Sequence, residues 1–148
     1  MKSIEEIGIN FKIEKNGQKL VTAVVQDHKT LEILMVAFMN KEALQKTIET
    51  KNAHYWSTSR NKLWLKGESS GNLQNVKNIY IDCDMDAIVL KIEQKGAACH
   101  EGYYSCFFRE LNMDKINDNI TDLEKLENDS LKLISKRLFN PDEMYGKK

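Results

Sequence analysis

Short runs of β-branched and apolar residues, broken by polar turns, dominate the hydrophobic pattern of the chain. Leu20–Gln26 (LVTAVVQ) predicts a buried strand, Asp27-His28-Lys29-Thr30 a turn, and Leu31–Met39 a second strand, so the two form a hairpin. Asn40 suits the N-cap of a helix from Lys41 to about Lys51, with Glu42 in its first turn and Leu44 and Ile48 four apart on one face. Ala53–Ser57 and Leu63–Lys66 read as short aromatic strands around the turn Ser59-Arg60-Asn61, and Lys66–Asn72 as a loop. β-Branched content returns from Val76 to Ile92 with one acidic interruption. Gly96–Gly102 is a second loop and Tyr104–Arg109 another short strand. Asn140-Pro141-Asp142-Glu143 has the cap, first-position proline and acidic first turn of a helix start. Residues 112–136 are the most polar stretch, where a helix over Asp122–Glu127 and a strand over Leu131–Ile134 both fit the pattern. The expected architecture is a mainly β (α+β) single domain over residues 1–148, with one main helix after the first hairpin.

The 148 residues carry 22 basic and 22 acidic side chains, 41% hydrophobic residues and one proline. A chain of this size folds as one globular domain that buries roughly 68–70% of the surface its unfolded form exposes. Zero formal net charge argues against a nucleic-acid partner, since bulk nucleic-acid binders carry a basic excess. No apolar run nears the ~18 residues of a membrane span, and Met1–Glu6 has no apolar signal core. A cytoplasmic protein without a membrane partner is the expectation. Three cysteines, an odd number in such a chain, favour reduced thiols, free or on a metal, over disulfides.

Three segments carry chemistry. In Asp82-Cys83-Asp84-Met85-Asp86, strand periodicity puts the three carboxylates on one face and Cys83 with Met85 on the other. Their mutual repulsion is relieved either by solvent at an acidic edge or by a hard divalent cation such as Mg²⁺. Alternate strand residues lie about 6.6–6.8 Å apart, so one ion needs a bent strand or long side-chain reach. A calcium hand is excluded, because Ala87 stands where that loop requires glycine. In Cys99-His100-Glu101-Gly102-Tyr103-Tyr104-Ser105-Cys106, two cysteines bracket six residues with a histidine beside the first. Together with Cys83 they are three thiolates for zinc, the fourth position going to water or His100; buried apolar cysteines are the alternative. Arg60, Lys62 and Lys66, with the hydroxyls of Ser69 and Ser70, form a third cluster suited to phosphate. Trp56 and Trp64 nearby fit a core or a stacking surface for a base.

The runs LMVAFMNKEAL (34–44) and YWSTSR…LWLKGESSG (55–71), then DCDMDA and GAACHEGYYSCF, resemble the phosphoribosyl-AMP cyclohydrolases of histidine biosynthesis. The resemblance runs in continuous order from about Leu20 to Arg109, and the two cysteine-bearing motifs together are highly specific. It implies a buckled, barrel-like mixed sheet in an intertwined homodimer that requires zinc and magnesium. It also implies hydrolysis of the N1–C6 bond of the adenine ring in the small-molecule substrate phosphoribosyl-AMP. Carried over by motif, Cys83, Cys99 and Cys106 hold zinc, with Cys83 reaching the partner subunit's site, while Asp82, Asp84 and Asp86 hold magnesium. Thr58, where the family often has arginine, and Ala97, where proline is frequent, are departures that remove no metal ligand. Residues 112–148 are too few for a typical further domain.

On that resemblance, a zinc-activated water attacks C6, His100 moves protons with His54 as second choice, and Arg60 and Lys66 hold phosphate. Two other classes use the same residues differently. A zinc-stabilised binding module makes His100 the fourth ligand, and a nucleic-acid module stacks bases on Trp56 and Trp64. A purine deaminase requires H-x-E and P-C-x-x-C elements, and neither occurs.

Overall fold

The computed structural model describes residues 2–115 and 131–145. Its centre is a five-stranded mixed sheet built around β2 (Gln18–Asp27) and β7 (Ala87–Gln94), which run parallel with Thr22 opposite Ala87 and Asp27 opposite Ile92. β2 also pairs antiparallel with β1 (Ile13–Lys15) and with β3 (Ile33–Met39), and β7 pairs antiparallel with β6 (Gln74–Ile81). The path ends at β6 on one side and does not return to it, so the sheet is open and no barrel closes. β4 (His54–Ser57) and β5 (Lys62–Leu65) form a separate hairpin, as do β8 (Arg109–Leu111) and β9 (Leu131–Leu133).

Alternation explains the core. Val21, Ala23 and Val25 of β2 and Ile88, Leu90 and Ile92 of β7 are buried together against Met39, Ala43, Leu44 and Tyr55. The main helix, α2 (Lys41–Thr50), starts where expected: Asn40 Oδ1 accepts from the Ala43 amide at 2.9 Å, a cap worth about 1 kcal/mol. Its buried face is Ala43, Leu44 and Thr47, whereas Ile48 stays 38% exposed. The expected Leu44–Ile48 stripe is therefore rotated, because Thr47 turns inward to bond the backbone at Ala43 and His54.

The first hairpin, the β4–β5 pair and the capped helix at Pro141–Tyr145 (α3) match the pattern-based expectations. The segment Tyr104–Phe108 does not: strand begins only at Arg109, since its backbone and Ser105 bond to the start of β3 and the Cys99 turn instead. Of the two readings for the polar stretch, Leu131–Leu133 is strand, and Asp122–Glu127 lies outside the described residues. Two further elements stand outside those expectations: α1 (Ile4–Ile7), with its Ser3/Glu6 capping box, and β1, joined to β2 by Asn16-Gly17. Both residues of that turn have positive φ, 51° and 79°, the combination that makes Asn-Gly the favoured two-residue hairpin turn. Among the described residues no helix is long and apolar enough to cross a membrane.

Candidate active site

The acidic segment is a turn, not a strand. It connects β6 to β7, with Asp82 bonded through its amide to the Ala87 carbonyl and Met85 at φ 64°. The alternation of carboxylates and Cys83 across two strand faces is thereby replaced by a loop that gathers the three carboxylates. One ligand oxygen from each of Asp82, Asp84 and Asp86 lies within 4.8 Å of the others, a spacing no flat strand provides. Asp82 Oδ1 accepts from the Asp86 and Ala87 amides at 3.0 and 3.1 Å, which holds the loop closed. Lys12 pairs with Asp86 and keeps its carboxyl below the usual range, while hydrogen bonds from Asp86 and Asp82 push Asp84 above it. Three carboxylates this close repel one another, and a hard dication would relieve that repulsion.

The two remaining cysteines come together at the opposite end of β7. Cys99 is buried; Cys106 is open to solvent on one side and has its amide bonded to the Leu34 carbonyl at 2.7 Å. The two thiols are neighbours, and burial, with the charge of Cys99, pushes the Cys106 thiol up to about 11. Lys66 stands beside both. Burial lowers its pKa while the two thiols oppose that shift, and its Nζ donates to the Ala98 carbonyl at 2.6 Å. A soft dication suits such a pair, because it replaces the thiol protons and uses both sulfurs.

Around Cys106 opens a cleft of about 1170 Å³ lined by Arg60, Lys66, Ser69, Ser70 and His100, together with Met35 and Trp64. Five residues singled out from the sequence thus meet around a thiol, although Arg60 and His100 lie 40 positions apart. The loop 67–72 reaches the cleft because Gly67, at φ 88°, packs on the Asn72 backbone so closely that a Cβ would come within 2.6 Å of it. Ser70 accepts from the Asn72 amide at 3.2 Å. His54 is not in this wall: its Nδ1 lies 2.8 Å from the Asn52 carbonyl, at the helix-to-strand corner. Trp64 packs on the core, its ring 5.3 Å from that of Tyr55, and also edges the cleft.

Cys83 is elsewhere. The acidic turn leaves β7 at the level of Thr22, whereas Cys106 binds β3 at the level of Val25 and Gln26. Three to four residues of strand, roughly 10–13 Å, separate those levels, and Cys83 projects beyond, at the hairpin tip. Among the described residues the acidic triplet is the one set of three such side chains close enough to hold a single ion. Within one chain the three thiols are not gathered.

Further cleft residues come from the end of the chain: Arg137, Pro141, Asp142 and Tyr145. None was singled out from the sequence. The helix-start signal at Asn140 announced order there but not its destination.

A family model described as phosphoribosyl-AMP cyclohydrolase matches residues 35–108. Curated relatives carry that same name. One from Methanobrevibacter smithii is 62% identical over 137 residues, spanning 93% of this chain and 98% of its own length. A Methanothermobacter thermautotrophicus relative is 54% identical over 138 residues, covering 93% and 91% of the two chains. One from Chlorobium phaeovibrioides is 52% identical over 136 residues, with 92% and 89% covered.

Proposed function

The chain belongs to the phosphoribosyl-AMP cyclohydrolase family, and we propose that it hydrolyses the N1–C6 bond of the adenine ring of phosphoribosyl-AMP, a step of histidine biosynthesis, in the cleft beside Cys106. The observation that carries this reading is the convergence of phosphate-binding, proton-moving and thiol side chains on that one cleft.

Cys99 and Cys106 are two of the zinc ligands, and Asp82, Asp84 and Asp86 hold magnesium. Zinc, when bound, supplies Lewis acidity and a water of lowered pKa. The third zinc ligand is Cys83 of a second copy, in a homodimer. Two Zn–S bonds of ~2.3 Å bridge at most roughly 4.6 Å between sulfurs, less than the strand separation that divides Cys83 from the other thiols. A two-fold pair of chains supplies each site with the other's Cys83.

The protein's own side chains do the rest. Arg60, with Ser69 and Ser70, binds a phosphate and so fixes the base in the cleft. Lys66 stays against the thiols, where its charge stabilises the thiolates that hold metal. His100, exposed on the turn beside Cys99, takes the proton released as water adds to C6 and returns one to N1 as the ring bond breaks. Asp82, Asp84 and Asp86 would hold magnesium for phosphate rather than for the fold. Cytoplasmic location accords with this role.

A spectrophotometric assay with phosphoribosyl-AMP tests the proposal. Ring opening should be measurable with metals present and abolished by a zinc chelator. A metal-loaded, folded protein without turnover would refute it.

A further inference from the structure

The cleft wall contributed by the end of the chain is fastened to the turn that carries His100. Leu138 donates its amide to the Gly102 carbonyl at 2.6 Å, and Arg137 Nε donates to the Glu101 carbonyl at 2.9 Å. Gly102, at φ 95°, permits the approach: a Cβ there would meet the Phe139 carbonyl oxygen at 2.2 Å. The Arg137 guanidinium also lies 5.4 Å from the centre of the Tyr103 ring. One nitrogen is thus tied to backbone and the plane is steadied by an aromatic face. Among the described residues its terminal nitrogens make no ion pair.

The substrate carries two phosphates. Of the cleft cations, Lys66 is engaged with the Ala98 carbonyl and the thiols, which leaves Arg60 and Arg137. The cleft also contains Glu68, Glu101 and Asp142, so no uniform positive field draws phosphate in. A phosphate is held there only by direct, charge-assisted contact, for which a pre-oriented guanidinium fork is suited. We infer that Arg137 binds one of the two phosphomonoester groups of the substrate while Arg60 binds the other, so that the C-terminal segment selects for a doubly phosphorylated nucleotide. This rests on the cyclohydrolase reading above.

Steady-state kinetics on phosphoribosyl-AMP with the metal-loaded full chain test it, using wild type, Arg137→Ala, Arg137→Gln and Arg137→Lys. Gln can still donate to the Glu101 carbonyl but has no charge; Lys keeps charge but not the fork. KM should rise roughly 10- to 100-fold in the Ala and Gln variants, the range for a lost charge-assisted hydrogen bond, with kcat within about threefold. Lys should recover part of the loss. If Ala fails to fold, the Gln and Lys variants carry the comparison. Wild-type KM in the Gln variant, or a fall in kcat with KM unchanged, would overturn the assignment and leave Arg137 a brace for the His100 turn. A wild type without turnover would overturn the cyclohydrolase reading, and this proposal with it.

Discussion

The two ends of β7 each present metal-binding chemistry, and they are made in opposite ways. At the start of the strand, Asp82, Asp84 and Asp86 are gathered by a single turn, with ligand oxygens within 4.8 Å and the loop closed by its own amides. Beyond its other end, Cys99 and Cys106 meet only because distant parts of the chain dock: Cys106 on β3, Tyr104 on Asp27, Lys66 on Ala98. The first cluster is a local object, gathered by one short turn. The second is a tertiary object, and within one chain Cys83 stays apart from its two thiols. A local cluster survives disturbance elsewhere, whereas a tertiary one depends on every contact that positions it.

The sharpest break is a test of the proposed shared thiol site. If Cys83 completes the site of a second copy, Cys83→Ala and Cys99→Ala should each be inactive, because every homodimer then lacks a ligand at both sites. Mixed and reassembled, half the dimers pair unlike chains and collect both lesions in one site, so roughly a quarter of wild-type activity per site should return. No recovery, with subunit exchange verified, would place all three thiols in one chain and erase the contrast between the two ends.

Next in size is His100→Ala. Zinc per chain should stay at the wild-type level while turnover falls on the order of 10²–10⁴-fold. Loss of zinc in parallel with activity would instead make His100 the fourth ligand, so that one chain supplies three donors.

At the acidic end, Asp84→Asn should lower activity several-fold, with added Mg²⁺ partly restoring it. Its melting temperature should hold level or rise, because carboxylate repulsion is relieved in a turn that needs no other support. Unfolding of this variant with normal activity per folded molecule would show that the turn supports the fold.

The smallest effect is expected at the tertiary seam. Burial of Asp27 alone would raise its pKa, but the Tyr104 hydroxyl and the Thr30 and Lys29 amides outweigh it and hold the carboxyl below its ordinary value. A depressed native pKa stabilises above the unfolded pKa of about 3.9, and that contribution is lost as pH falls through the native value. Asp27→Asn should therefore melt a few degrees below wild type at pH 7, and the two should converge as pH falls below the unfolded value and through the depressed native one. A gap that does not change with pH would mean the seam owes its strength to packing.

Much of this was legible because it is encoded over a few residues. Asn40 and Asn140 mark helix starts by their own side chains, and β2 and β3 alternate or run apolar according to which faces they bury. Two local signals, Ser3 with Glu6 and Asn16-Gly17, were equally available and were passed over. Tyr104–Phe108 misled for a physical reason. Its aromatic composition suits a strand, but Ser105 bonds the Ile33 carbonyl at 2.7 Å and Tyr104 reaches Asp27, so side chains displaced a ladder. The three acidic side chains do converge, but on a turn rather than the expected strand, because D-x-D-x-D does not state where a hairpin turns.

From sequence alone come the mainly β character, the main helix, the types of metal donor and the family motifs, all set by spacings of one to about eight residues. Tertiary structure alone decided that Arg60, Lys66 and His100 share a cleft, that Arg137 joins them, and that Cys83 stands apart from the other two thiols. The parallel register of β2 with β7 links residues 65 positions apart, Thr22 with Ala87. That pairing sends the acidic turn to one end of the sheet and the thiol loop to the other. Such a register is chosen by the burial of whole strand faces at once, so no short motif contains it.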